Sequence, residues 1–163
     1  MLLTEIAEAV RDTLNSSPGK WATGNTVAKV TLDWAGCLSK TDLQVLIVPE
    51  MVQYDLENSS GRRKFIGVNT IKFISVMVGR GFNSLPTSDS ICPWPEAKEL
   101  MDVRERVTQF LIANSALTGE VKLVDLEETP VDELALDHRN FVAMTQLGYE
   151  VIQCGSGPDL LSS

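Results

Sequence analysis

The chain has 163 residues, 44% of them apolar and 22% charged, with 22 acidic against 14 basic side chains and a formal charge of −8. That is the size of one domain with one core and an ordinary globular composition. The acidic balance makes the chain a poor general nucleic-acid binder, whose affinity would come from Lys and Arg neutralising phosphates, unless a local basic patch overrides it. No apolar run reaches the roughly 18 residues needed to span a bilayer. The start, Met1-Leu2-Leu3-Thr4-Glu5-Ile6, lacks the basic region and apolar stretch of a secretory signal.

Leu3, Ile6, Val10 and Leu14 recur at spacings of three and four, which predicts an amphipathic helix over 3–14. Thr4 is placed as its cap, with Glu5 and Glu8 where the helix dipole favours acid. Asn15-Ser16-Ser17-Pro18-Gly19 ends it. Residues 26–34 alternate, with Ala28, Val30, Leu32 and Trp34 on one side and Lys29, Thr31 and Asp33 on the other. That is a strand with one wet face, and it puts Trp34 in the core. Residues 43–48 form a second, more buried strand. Pro49 cannot donate to a ladder, so a bulge or an edge is expected there, and alternation resumes from Met51 to Leu56.

Asn58-Ser59-Ser60-Gly61 is a turn cluster. Residues 64–78 are rich in Phe, Ile and Val; as strand they would extend roughly 50 Å at about 3.3 Å each. Segments 43–56 and 63–78 together read as one long hairpin. Residues 79–95 form a polar loop, longer than loops in compact domains usually are. Pro95 suits a first helical position, and the helix 96–113 carries Leu100, Val103, Val107, Phe110 and Asn114 on one stripe. Lys98, Asp102, Glu105 and Thr108 are expected to face water. A short strand follows at 121–126, a short helix at 131–136, and a last strand from Phe141 to Val151. The tail after Cys154 is rich in Gly, Ser and Pro and is expected to be disordered. The expected organisation is a single α+β domain over 1–153 with a flexible tail over 154–163. Its antiparallel sheet, with the long β-hairpin, packs against two main helices.

No chemical constellation stands out. The cysteines, Cys37, Cys92 and Cys154, are odd in number and far apart, and read as ordinary thiols of a reducing cytosol. His138 is the only histidine; a dyad with Cys37 or Cys154 is the alternative to a surface histidine. Gly79-Arg80-Gly81-Phe82 lacks the Lys-Ser or Lys-Thr of a phosphate loop. Glu127-Glu128 and Asp132-Glu133 read as a solvated acidic rim rather than a cation site. No catalytic residue, cofactor or metal is therefore expected. Arg62-Arg63-Lys64 is the one dense basic cluster and sits at the expected hairpin tip. Trp21 and Trp94 fall in loops, where they are candidate interface anchors. Arg62, Arg63, Arg80 and Trp94 are the candidate contacts with neighbouring subunits, the arginines through acids on the partner. A hairpin too long for its own core favours an assembly subunit over an enzyme; a small hydrolase and a host protein-binding module are the competing classes.

The order of segments resembles the tail terminator and tail-completion proteins that join head to tail in long-tailed bacteriophages. The likeness spans residues 3 to about 152. Thr4-Glu5-Ile6-Ala7-Glu8-Ala9-Val10 is similar to that family's opening helix, and Leu43 to Pro49 to its hydrophobic strand ending in Val-Pro. Arg62-Arg63 followed by Thr70-Ile71-Lys72-Phe73-Ile74-Ser75-Val76 resembles the Arg-led second arm of the hairpin, and 96–113 the acidic helix after it. Asn140 to Met144 with Gly148-Tyr149-Glu150-Val151 resembles the closing strand. The loop 79–95 and the tail after 152 are longer than the family's. The resemblance implies a homo-oligomer, a hexameric ring, on the last ring of the tail tube protein, facing the head connector or stopper protein. DNA would pass through an electronegative lumen without specific binding, and no membrane would be involved. The protein would be assembled in the host cytoplasm and reside in the tail or neck of the virion. A head-completion adaptor or stopper, or a tail-tube-like subunit, is the alternative station. The family supplies no catalytic residues.

Overall fold

A computed structural model describes residues 1–24, 26–34, 37, 42–55, 69–81, 94–129 and 140–151. Along the chain run α1 (Leu3–Ser16), a single 3-10 turn (Pro18–Lys20), β1 (Ala28–Val30), β2 (Gln44–Asp55), β3 (Asn69–Gly81), α2 (Trp94–Ala113), β4 (Ala116–Thr118), β5 (Val121–Glu128) and β6 (Asn140–Val151). The class is α+β: a six-stranded curled sheet in the order β1-β2-β3-β6-β5-β4, with two helices.

The sheet is mixed, which corrects the expectation of a purely antiparallel one. β1 pairs parallel to β2, Ala28 opposite Val45 and Val30 opposite Ile47, while every other pairing is antiparallel. Parallel neighbours need a connection of about a dozen residues to bring the chain back, and residues 31–43 supply that length. β1 is also shorter than its alternation predicts. The Thr31 hydroxyl accepts from the Asp33 N–H at 3.1 Å, a local turn that draws the chain out of the ladder. Leu32 is then 77% exposed, and Trp34 is only half-buried rather than in the core.

The spacing of Ile6, Val10 and Leu14 puts one face of α1 in the core. Glu5 accepts from the Leu2 N–H at 2.5 Å, so Leu2, not Thr4, stands at the cap position. At its other end the Trp21 indole N–H donates to the Leu14 carbonyl at 2.8 Å, satisfying one of the last helical acceptors. Trp21 is fully buried and so is a core residue, not an interface anchor. In α2 the buried stripe is Leu100, Val103, Val107 and Leu111, with Phe110 packed at its margin. Thr108 lies on that buried side too, its hydroxyl 3.3 Å from that of Thr145 on β6. It was expected to face water; the Thr145 hydroxyl gives it an inward partner.

Register assigns the faces of the sheet. Val45, Ile47, Ile74, Val76, Val78, Ala143, Leu147 and Tyr149 lie on one face and form a single buried cluster with residues of both helices. Leu46, Phe73, Ser75, Met77, Met144, Gln146 and Gly148 lie on the other. Of these, Leu46 and Phe73 are buried as well but stand outside that cluster.

Candidate functional site

Two irregularities share one level of the sheet. In β2 the register shifts between Pro49 and Met51, leaving Glu50 as an extra residue opposite the step from Ile74 to Phe73. In β5 it shifts between Leu123 and Asp125, leaving Val124 opposite the step from Tyr149 to Gly148. Phe73 and Gly148 are themselves cross-strand partners. A bulge bends its strand and increases its twist, so two on one line crease the sheet there. The bulge at Pro49 is where the missing proline donor placed it.

The crease is fastened on the second face. The Ser75 hydroxyl donates to one oxygen of Glu50, and the Gln146 amide donates to the other at 2.8 Å. One bulge side chain thus ties β2 to β3 and β6. Beside it Gly148 is tightly enclosed: a Cβ would stand 3.0 Å from both Asp125 Cβ and Phe73 Cε1, which would have to give by a few tenths of an ångström.

A polar cavity of about 540 Å³ opens beside β1, lined among others by Thr23, Thr26, Lys29, Asp42, Arg80 and Glu99. Thr23 donates to Glu99 at 3.0 Å, and the Arg80 guanidinium lies 3.9 Å from the same carboxylate. Arg80 is therefore near the end of β3 with its charge facing α2 of its own subunit, its side chain only 19% exposed. A shallower groove of about 430 Å³ runs between α2 and the end of β5. There Arg104 donates to the Thr129 carbonyl at 2.6 Å and lies 3.9 Å from Glu128.

Two titratable groups are shifted by burial. Tyr149 is fully buried, and burial holds its phenol above the ordinary range; its hydroxyl has no hydrogen-bond partner among the described residues. Partial burial lowers the pKa of Lys72, which donates to the Met1 carbonyl, and the Glu5 charge partly offsets that shift. Neither group adjoins a nucleophile in a cleft. Among the described residues no three His, Cys, Asp or Glu side chains are placed to hold a metal ion. No described helix is long and apolar enough to cross a membrane.

Of the sequence-predicted contact residues, Arg62 and Arg63 lie outside the described residues, as do His138, the short helix at 131–136 and the tail. Trp94 is the first residue of α2, one position before the expected start at Pro95, and its side chain too lies outside. Arg80 faces Glu99 on α2 of its own subunit. What the sequence reading missed is the pair of sheet edges. Among the described residues no strand pairs with the outer side of β1, and none pairs with β5 beyond Leu123. No family model and no curated protein matches the chain.

Proposed function

We propose that the chain is a structural subunit of a tailed-phage neck: a tail terminator that forms a ring, caps the tail tube and joins it to the head connector. In this reading it is not an enzyme. β2 and β3 serve as the arms of one long hairpin, joined through residues 56–68, which include Arg62 and Arg63, and the two helices back the sheet. The observation that carries the reading is the sheet itself. Strands of 12 and 13 residues pair at its centre, while no further strand pairs with either outer edge among the described residues, Asn15 alone holding the outward backbone groups of Ala28. Usual strands have about five or six residues, and open edges invite pairing with another chain. A rotational ring is the arrangement in which every copy uses both edges at once.

The face away from the helical cluster adds a second support. It presents Glu50, Asp125, Glu127 and Glu150 against two cations, Lys29 and Lys122, by register. Turned toward a bore, such a surface repels phosphates and lets a duplex slide, whereas Lys and Arg would add adhesion. The adaptor or stopper station of the same neck would use the same ring. The particle's assembly then takes place in the host cytoplasm, with the finished subunit in the virion.

Light scattering and negative-stain images of the purified protein, alone and with tail tubes, test this reading. Rings in either sample are expected, and a persistent monomer in both refutes it. Charge reversal at Arg62 and Arg63 is expected to block head–tail joining while leaving the melting temperature unchanged.

A further inference from the structure

We infer that neighbouring copies meet edge to edge, the β1 side of one subunit against the outer side of β5 of the next, with Lys29 of one facing Asp125 and Glu127 of the other. The inference rests on the ring reading and names the surface that builds the ring. The strands themselves differ in charge at their open stretches: Lys29 is exposed on β1, with Asp33 and Asp42 exposed off the strand beside it, whereas β5 beyond Leu123 exposes Asp125, Glu127 and Glu128, its exposed Lys122 lying where β4 pairs. A symmetric dimer through either edge would place like charges together, Lys29 on Lys29 or acids on acids. Joining unlike edges replaces both repulsions with attraction.

Direction and face agree with this pairing. β1 runs with β2, and the three antiparallel steps to β5 through β3 and β6 leave β5 opposite in sense to β1. Rotation about a ring axis preserves those senses, so the two edges arrive antiparallel. It also preserves the faces. Lys29 stands opposite Leu46, Glu127 opposite Gln146 and Asp125 opposite Gly148, all on the face away from the helical cluster. The unlike charges therefore meet on one side of the joined sheets. Apolar surface accompanies them: Val27 is 48% and Leu32 77% exposed beside β1, and Val124 is 45% exposed at the β5 bulge.

The β1 edge does not accept strands indiscriminately. Thr31 donates to Ile47 toward β2, so by alternation the Ala28 N–H and C=O point outward. The Asn15 amide holds both, at 2.9 and 3.0 Å. Recognition at this edge falls to side chains, and that is where the charges stand.

Two experiments on the full chain test it. In the first, Lys29→Cys and Glu127→Cys are combined after Cys37, Cys92 and Cys154 are replaced by Ser. Oxidation of assembled protein is expected to give a ladder of covalent multimers that ends at the ring number, absent from either single variant. In the second, with native cysteines kept, Lys29→Glu and Glu127→Lys are each expected to weaken assembly about tenfold, and the double exchange to restore it. Melting curves confirm that each variant folds. Rings that neither form the ladder nor recover in the double exchange overturn this inference and leave the ring reading standing. A persistent monomer with and without tail tubes overturns both. A covalent adduct with the tube subunit in place of the ladder overturns it in favour of an edge built for the tube.

Discussion

Replacing Gly148 with Ala puts a methyl group into the tightest point of the sheet. The added Cβ would lie 3.0 Å from Asp125 Cβ, 3.0 Å from Phe73 Cε1 and 3.2 Å from Ile71 Cγ2. Two of these neighbours sit on β3 and one on β5, the strands on either side of β6, so yielding on one side presses on the other. Overpacking of this kind costs about 1–3 kcal/mol. Removing a glycine from a strand returns about 0.5–1 kcal/mol. With crowding on both flanking strands placing the cost in the middle to upper part of that range, the net expectation is a loss of about 1–2 kcal/mol. At roughly 2–4 °C per kcal/mol for a chain of this size, that lowers the melting temperature by about 2–8 °C. Urea unfolding of the purified protein gives the free energy and thermal melting the shift. The Phe73→Leu change removes one of the crowding atoms, so Gly148→Ala is expected to cost less in that background than alone. A Gly148→Ala protein at least as stable as the parent, or one whose loss is unchanged beside Leu at position 73, would refute the packing argument.

The paired hydroxyls of Thr108 and Thr145 predict a non-additive cycle. Either single Val substitution leaves a buried hydroxyl alone and costs about 1–3 kcal/mol, while the double is nearly neutral; urea midpoints of the four proteins decide it. Trp21→Phe keeps most of the buried ring but loses the bond to Leu14, an expected cost of about 1–2 kcal/mol, read the same way. Tyr149→Phe is expected to match or exceed the parent at neutral pH, since the hydroxyl it removes has no described partner. Its pH dependence has a fixed sign. A phenol pKa raised by folding gives stability that is present below the unfolded value near 10 and lost as pH rises above it. Urea midpoints between pH 8 and 11 should therefore fall less steeply in Tyr149→Phe than in the parent.

The elements most readable in the sequence are those whose pattern and partner agree. Ile6, Val10 and Leu14 repeat at helical spacing, and a single core takes all three. Pro49 marks its own bulge because a missing donor acts locally, whatever the rest of the sheet does. The misreadings have both local and non-local causes. Alternation over 26–34 is real, but the Thr31 turn that ends β1 after Val30 competes with the ladder and wins. Trp21 follows a Pro-Gly turn and reads as loop; its burial depends on a carbonyl seven residues earlier. Thr108 reads as solvent-facing until Thr145, far along the chain, supplies its partner. β4 has only three residues, too few for any period to register. The parallel β1 pairing follows from where a connection returns, and no local pattern encodes that. The edge charges were visible as residues but not as edges, because only strand order makes Lys29 and Glu127 the two outer sides of one sheet.

The devices on those edges explain how a sheet with open sides can still choose its partner. β3 and β6 are paired along nearly their whole length and shield each other. Toward the outside, backbone groups are withdrawn one by one: Asn15 takes those of Ala28, Pro49 has no donor to offer, and the Glu50 and Val124 bulges break the regular spacing a foreign strand would need. Each of these is a known way of discouraging arbitrary strand addition. Backbone hydrogen bonding is the same for every sequence, so an edge that relied on it would accept any strand. Once it is suppressed, the free energy of contact rests on side chains, where Lys29 and the β5 acids differ in sign. Repulsion then rejects the symmetric pairings as firmly as attraction favours the unlike one. On the proposed reading, unlike edges of successive copies meet while like edges stay apart, as a ring-forming neck protein requires.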